Sequence, residues 1–149
     1  MTNKPSMVQK PSTRKKARRY AIQGIYQWHM SGAAIAEIEL QFLETINQSK
    51  VDIEYFREVL VNTLSQVSEL DALLSPFMQR EMSEVNAVEL AVLRLACYEL
   101  KARMDIPYKV VINEALELSK TFGIADGHKF VNGILDKLAK QLRPFEVKK

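Results

Sequence analysis

An all-α fold, a compact bundle of six to seven amphipathic helices joined by short loops, is what this sequence predicts, and three observations carry the prediction. Apolar residues recur at i, i+3 and i+4 steps along most of the chain from Ala17 to Leu142. No stretch reads as a credible strand, and no internal repeat occurs. The interruptions fall at Pro, Gly, Asn and Asp, the residues that begin and end helices. With 149 residues and 47% apolar content, the chain can bury its own core as one domain.

Residues 1–12 (MTNKPSMVQKPS) are polar, with two prolines and only Met7 and Val8 to bury, so a disordered N-terminal extension is expected there. From Thr13, the expected N-cap, Ala17, Tyr20, Ala21, Gly24, Ile25 and Trp28 form a buried stripe. Lys15, Arg19, Ile22 and Tyr26 fall in a second row of the same helix, with Arg14, Lys16 and Arg18 around them. A second helix is expected over about 33–47, and a third over about 52–74 with Phe56, Val59, Leu60, Thr63, Leu64, Val67 and Leu70 on one face. Ser75-Pro76 interrupts it.

Asn86 with Glu89 three residues on makes a capping box for a helix through about Ala102, with Val92, Leu95, Ala96 and Tyr98 inward. Pro107 suits the first turn of the next helix, which carries Val110, Val111, Ala115, Leu118 and Phe122 and stops at Gly123. Asp126 caps a last helix with Val131, Ile134, Leu135, Leu138 and Leu142 inward, ended by Pro144. The helical domain is therefore expected over residues 13–144, with 145–149 as a C-terminal tail.

One cysteine, Cys97, rules out an internal disulfide framework, and its apolar neighbours predict a buried thiol in a reducing compartment. No run approaches the roughly 18 apolar residues of a membrane span, and the N-terminus has no secretory apolar core. A transit peptide is disfavoured because the helical pattern continues unbroken to Trp28, so the expected location is cytoplasmic. The net charge of +3 conceals a strong asymmetry. Residues 1–36 carry seven cations and no acid, while the remaining residues hold fourteen basic against eighteen acidic side chains, a net of −4. One end is built for a polyanion and the body is an ordinary, slightly acidic globule.

For catalysis the inventory is poor. His29 and His128 are 99 positions apart, no CxxC or HExxH occurs, and no glycine-rich phosphate loop follows a strand. Asp126 with His128 is explained by a helix cap and a first-turn histidine, and Glu114 with Glu117 by a solvated charged face. No enzyme, metal or cofactor is expected. The run RKKARR (Arg14 to Arg19) admits nucleic-acid contact, a nuclear signal, an anionic-membrane helix or a solubilising tail. Its fusion in register to a core helix, with Tyr26 in the basic row, favours a nucleic-acid arm, although Tyr26 serves equally well as plain packing.

Arg14 to Trp28 (RKKARRYAIQGIYQW), followed by Phe42, Tyr55-Phe56-Arg57 and Val88-Glu89-Leu90-Ala91-Val92-Leu93-Arg94, resembles the NusB family of bacterial transcription antitermination factors. Tyr98-Glu99-Leu100, the run from Asp105-Ile106-Pro107 to Asn113-Glu114-Ala115, and the run from His128-Lys129-Phe130 to Leu135-Asp136-Lys137 are similar to that family's signatures. The likeness covers about Thr13 to Pro144, in order. It implies two packed helical subdomains and a function without catalysis. The family pairs with NusE, a small-subunit ribosomal protein, and binds single-stranded boxA RNA. With NusA and NusG this modifies RNA polymerase so that ribosomal RNA operons are read through terminators.

Carried over by position, the resemblance implies an RNA surface of Arg14, Lys15, Lys16, Arg18, Tyr26, Asp126 and Phe130, and Glu89 facing NusE. Capping is a competing role for Asp126, core packing for Phe130, and Gly133 is expected to mark close helix packing. Three features depart from the family: the length of the N-terminal extension, the extra charge of Arg19, and Ser83 beside Glu84 where an acidic partner-facing residue is expected. Two other functions stand beside this one: the NusB-like RNA-binding module of a ribosomal RNA methyltransferase, disfavoured because the chain ends at Lys149, and a self-associating helical interaction protein. Homodimerisation is left open.

Overall fold

Asn86 opens the helix around which the rest of the molecule is assembled. Its side chain accepts hydrogen bonds from the backbone N–H groups of Val88 (2.8 Å) and Glu89 (3.3 Å), satisfying donors that a helix start leaves unpaired. The computed structural model describes residues 11–124 and 126–148. Among these, eight helices run in order: α1 (Pro11–Ser31), α2 (Ile35–Thr45), α3 (Ile53–Ser65), α4 (Val67–Leu74), α5 (Ala87–Ala102), α6 (Tyr108–Thr121), α7 (Gly127–Leu142) and α8 (Pro144–Val147). Short 3₁₀ turns, Ser75–Phe77 and Met82–Glu84, connect α4 to α5.

Helix α5 is the axis, with every residue from Glu89 to Leu100 buried. It packs against α1 and α3 on one side and α4, α6 and α7 on the other. Helices α1 to α3 form one packed layer, and α4, α6 and α7 with α5 form the second. The two helical subdomains implied by the resemblance are present, with one core shared between them.

Several helix boundaries differ from the sequence reading. Helix α1 begins at Pro11, so Thr13 lies inside it, where its carbonyl accepts from the Asp52 N–H (3.2 Å). Pro11 and Ser12 therefore belong to the helical body, while the remainder of the expected extension, residues 1–10, lies outside the described residues. The expected long third helix is two helices. Asp52 caps the first through the Tyr55 N–H (3.0 Å), and Gln66 leaves the helical basin at φ −111°, ψ 19°. The change of direction lets Leu70 and Leu74 on α4 face α5 and α7, whereas α3 faces α1, α2 and α5.

Pro107 is the residue before α6 and not its first turn. Helix α6 ends as expected at Gly123, whose φ of +68° is left-handed. The Gly123 N–H donates to the Lys120 carbonyl (3.0 Å) and the Ile124 N–H to the Ser119 carbonyl (3.2 Å), the paired bonds of a Schellman cap. The expected tail continues as α8, tied down by Glu146, which accepts from the Tyr108 N–H (2.8 Å).

Gly24 permits the close approach of α1 and α3, because a Cβ there would lie 2.7 Å from Leu60 Cδ1 in a side chain with no exposure. Gly133 does not mark close packing: it is exposed, and a Cβ there would meet open space. The rings of Tyr20, Phe42 and Phe56 form a chain across α1, α2 and α3 within the first layer, with centroids 6.3 and 5.9 Å apart. Cys97 is fully buried, and that burial pushes its thiol up to about 12, as expected of an inert core cysteine.

Candidate nucleic-acid interface

The cations of α1 separate into two sets once the neighbouring helices are in place. Because α1 is covered by α2, α3 and α5, more of its circumference is buried than the apolar stripe alone indicates. Ala17, Ala21 and Ile25 are fully enclosed, but so are Ile22 (1% exposed), expected in the second row, and Arg18 (3% exposed), expected beside it.

The position of Arg18 is a correction to its expected phosphate contact. Its Nε donates to Glu99 Oε2 at 2.9 Å, and its Nη1 lies 3.7 Å from Glu114 Oε1. Glu99, on α5, is 1% exposed and also accepts the Tyr55 hydroxyl. Burial pushes the Glu99 carboxyl above the ordinary carboxylate range, against the pull of the Arg18 charge and the Tyr55 hydrogen bond. A guanidinium that neutralises a buried carboxylate is committed to the fold.

Arg14 and Lys15 are engaged more loosely. Arg14 lies 4.1 Å over the Tyr55 ring and 3.9 Å from Asp52 Oδ2. Lys15, with 45% of its side chain exposed, donates to Glu114 Oε2 at 2.7 Å. Glu114 is thus a partner of two α1 cations and not the purely solvated charge expected of it. Lys16 and Arg19 make no ion pair with any described residue, and Arg19 is exposed.

Tyr26 lies about two helical turns beyond Arg19, 39% exposed. It borders an open, largely apolar groove of about 500 Å³ whose walls include Met30, Phe42 and Phe122, with the amides of Gln23 and Gln27 at hand.

The remaining expected site residues lie on α5 and α7. Asp126 does not cap α7: its side chain makes no capping bond, it is exposed, and its backbone is left-handed at φ +59°. An aspartate tolerates that conformation at modest cost, and here it leaves the carboxylate facing solvent. Phe130 is half-buried, with the Arg80 guanidinium 4.0 Å over its ring, so that face of the ring is occupied. Glu89 occupies the first turn of α5 and is 6% exposed. Glu89 packs toward Gly127, where a Cβ would come within 2.7 Å of its Oε2. Ser83 and Glu84 are both exposed on the turn before α5.

The NusB family model matches residues 15–140 of this chain. The chain belongs to the NusB family. Among its relatives, the transcription antitermination protein NusB of Shewanella piezotolerans is 57% identical over 134 residues, covering 90% of this chain and 99% of that protein. The NusB of Alcanivorax borkumensis is 52% identical over 141 residues, covering 95% and 92%. Of solved structures, T. maritima NusB superposes with a TM-score of 0.78 at 30% identity, covering 90% of this chain and 94% of that one. A NusB solved with NusE and double-stranded RNA shares the fold, with a TM-score of 0.75 at 24% identity, covering 89% and 99%.

In this NusB-family chain, sequence reasoning missed the features whose partners are remote along the chain. Arg143 is 4% exposed and donates to the carbonyls of Leu100 (2.8 Å) and Ile106 (3.0 Å), closing the C-terminal end of α5. Lys50, in the turn between α2 and α3, faces Lys16 and Arg19 across a pocket. No helix among the described residues is long and apolar enough to cross a membrane, and none of their His, Cys, Asp and Glu side chains cluster in a metal-binding group.

Proposed function

We propose that this chain is a transcription antitermination factor, without enzymatic activity, that binds boxA-type single-stranded RNA together with NusE. In this reading it acts with NusA, NusG and RNA polymerase to support processive transcription of ribosomal RNA operons. One observation carries the proposal: the half-buried Lys16 and the exposed Arg19 and Tyr26 lie along one strip of α1 in a chain whose relatives are named antitermination proteins. Phosphates meet cations there and unpaired bases meet a ring and an apolar groove, the combination that single strands require. Lys15 joins the RNA face by releasing Glu114, an exposed pair worth no more than about 1 kcal/mol.

Glu89 is read as the carboxylate that meets NusE. It has no hydrogen-bonded or ionic side-chain partner among the described residues, and it sits in a first helical turn, where the helix dipole favours negative charge. Asp126, exposed and free of a capping bond, is read as a base-edge contact beside it.

Tyr26 supplies the test. Tyr26→Ala is expected to lower affinity for single-stranded boxA RNA by about 1–3 kcal/mol with an unchanged thermal midpoint. Titration with and without NusE, on single-stranded and duplex forms of the same sequence, checks the rest of the reading. Preference for the single strand, strengthened by NusE, is expected. Equal or tighter binding of the duplex would replace stacking with recognition of duplex shape.

A further inference from the structure

The α2–α3 turn brings a third unpaired cation to the two on α1. Lys16, Arg19, Tyr20 and Gln23 form one wall of a pocket of about 250 Å³, and Asn47, Lys50 and Val51 form the other. The lining contains three cations, two amides and a phenol, and no carboxylate. Among the described residues, none of the three cations has an ion-pair partner, although Arg14, Lys15 and Arg18 beside them all do.

The turn is also built in advance. Asn47 Oδ1 accepts from the Ser49 N–H (3.0 Å) and hydroxyl (2.7 Å), and the Lys50 N–H donates to the Asn47 carbonyl (3.0 Å). The Asn47 oxygen is thereby consumed, so its amide can contribute only donors to the pocket. A concave site offering positive charge and donors without a competing acid selects a small, doubly oxygenated anion.

We propose that this pocket is a phosphate-binding subsite in which Lys16, Arg19 and Lys50 each neutralise a backbone phosphate of bound RNA. This inference rests on the RNA-binding reading above and extends it. The strand then runs from the Tyr26 groove across Gln23, which borders both sites, to the α2–α3 turn. The RNA track leaves α1 and touches a second element of the N-terminal layer.

Lys50→Gln in the full chain tests this, because Lys50 is exposed and the substitution leaves the core and the α1 cations intact. The observable is the salt dependence of binding to single-stranded RNA carrying the boxA element. Loss of one phosphate contact makes the log–log slope shallower by about 0.7. That is about a fivefold loss of affinity at about 0.1 M salt, vanishing near 1 M. An unchanged slope in a folded variant overturns the subsite while leaving RNA binding by the wild type in place. A wild type that binds no RNA overturns the functional reading and the subsite together. Inorganic phosphate titrated into the RNA-free chain separates the two sources of phosphate. If it shifts the amide resonances of Asn47 and Lys50 while Lys50→Gln keeps the wild-type RNA slope, the pocket serves a free anion and the assignment to RNA is wrong.

Discussion

Arg18→Ala is expected to destabilise the fold by about 3–5 kcal/mol, because it leaves Glu99 charged, 1% exposed and without its cation. For a domain of this size that lowers the thermal midpoint by on the order of 10 °C. The loss has a characteristic pH dependence. Glu99 has its raised pKa only in the folded chain, so the folded state binds a proton that the unfolded chain has released. Stability attributable to this group therefore falls as pH rises from the ordinary carboxylate value of about 4.5 and returns as pH is lowered.

Removing Arg18 removes a charge that opposed the rise, so the deficit of the variant should narrow on acidification toward that value. Urea midpoints of both proteins across the acid range check it, and a deficit independent of pH would remove Glu99 as the cause. Arg18→Met with Glu99→Gln should recover much of the loss, since a neutral pair leaves no buried charge. That double variant should also bind RNA with the wild-type salt slope. A shallower slope would return Arg18 to the set of phosphate contacts.

Arg143→Ala is expected to cost about 3 kcal/mol through a different mechanism. The guanidinium ties α7 to α5 by donating to the carbonyls of Glu99, Leu100, Arg103 and Ile106, and it also meets Glu146 at 2.6 Å. The Glu99 and Arg103 carbonyls keep backbone donors from Arg103 and Ile106, so the buried carbonyls of Leu100 and Ile106 suffer most. Arg143→Lys should recover only part, because a single ammonium cannot span a fork of separated acceptors. Hydrogen exchange should locate the damage in the last turn of α5 and the loop to α6. Uniform protection loss across the molecule would contradict that assignment.

Much of this architecture was legible in the sequence because caps and periodicity are local. Asn86 before α5, Gly123 after α6 and the apolar stripe of α7 each sit within a few residues of what they control. The split at Gln66 was not legible, since nothing between Val61 and Val67 breaks a helix and the bend is imposed by what α4 must reach. Arg18 was misread for a related reason. Its partner Glu99 lies 81 positions away, so a run of five charges gave no sign that one of them points inward. Helical spacing put Tyr26 in one row with Ile22, yet Tyr26 is 39% exposed and Ile22 is buried, so the row alone could not tell stacking from packing. Lys50 escaped notice because an isolated lysine in a polar turn carries no pattern, and only folding sets it opposite Lys16 and Arg19.

In the proposed function the unpaired cations Lys16 and Arg19 of α1 contact the RNA, while the buried Arg18 holds the fold. The most direct test is the salt dependence of boxA RNA binding by the wild type and by Lys16→Gln with Arg19→Gln. Loss of two phosphate contacts predicts a log–log slope shallower by about 1.4, with helicity and thermal midpoint unchanged. A double variant that stays folded and keeps the wild-type slope would remove Lys16 and Arg19 from the RNA contacts.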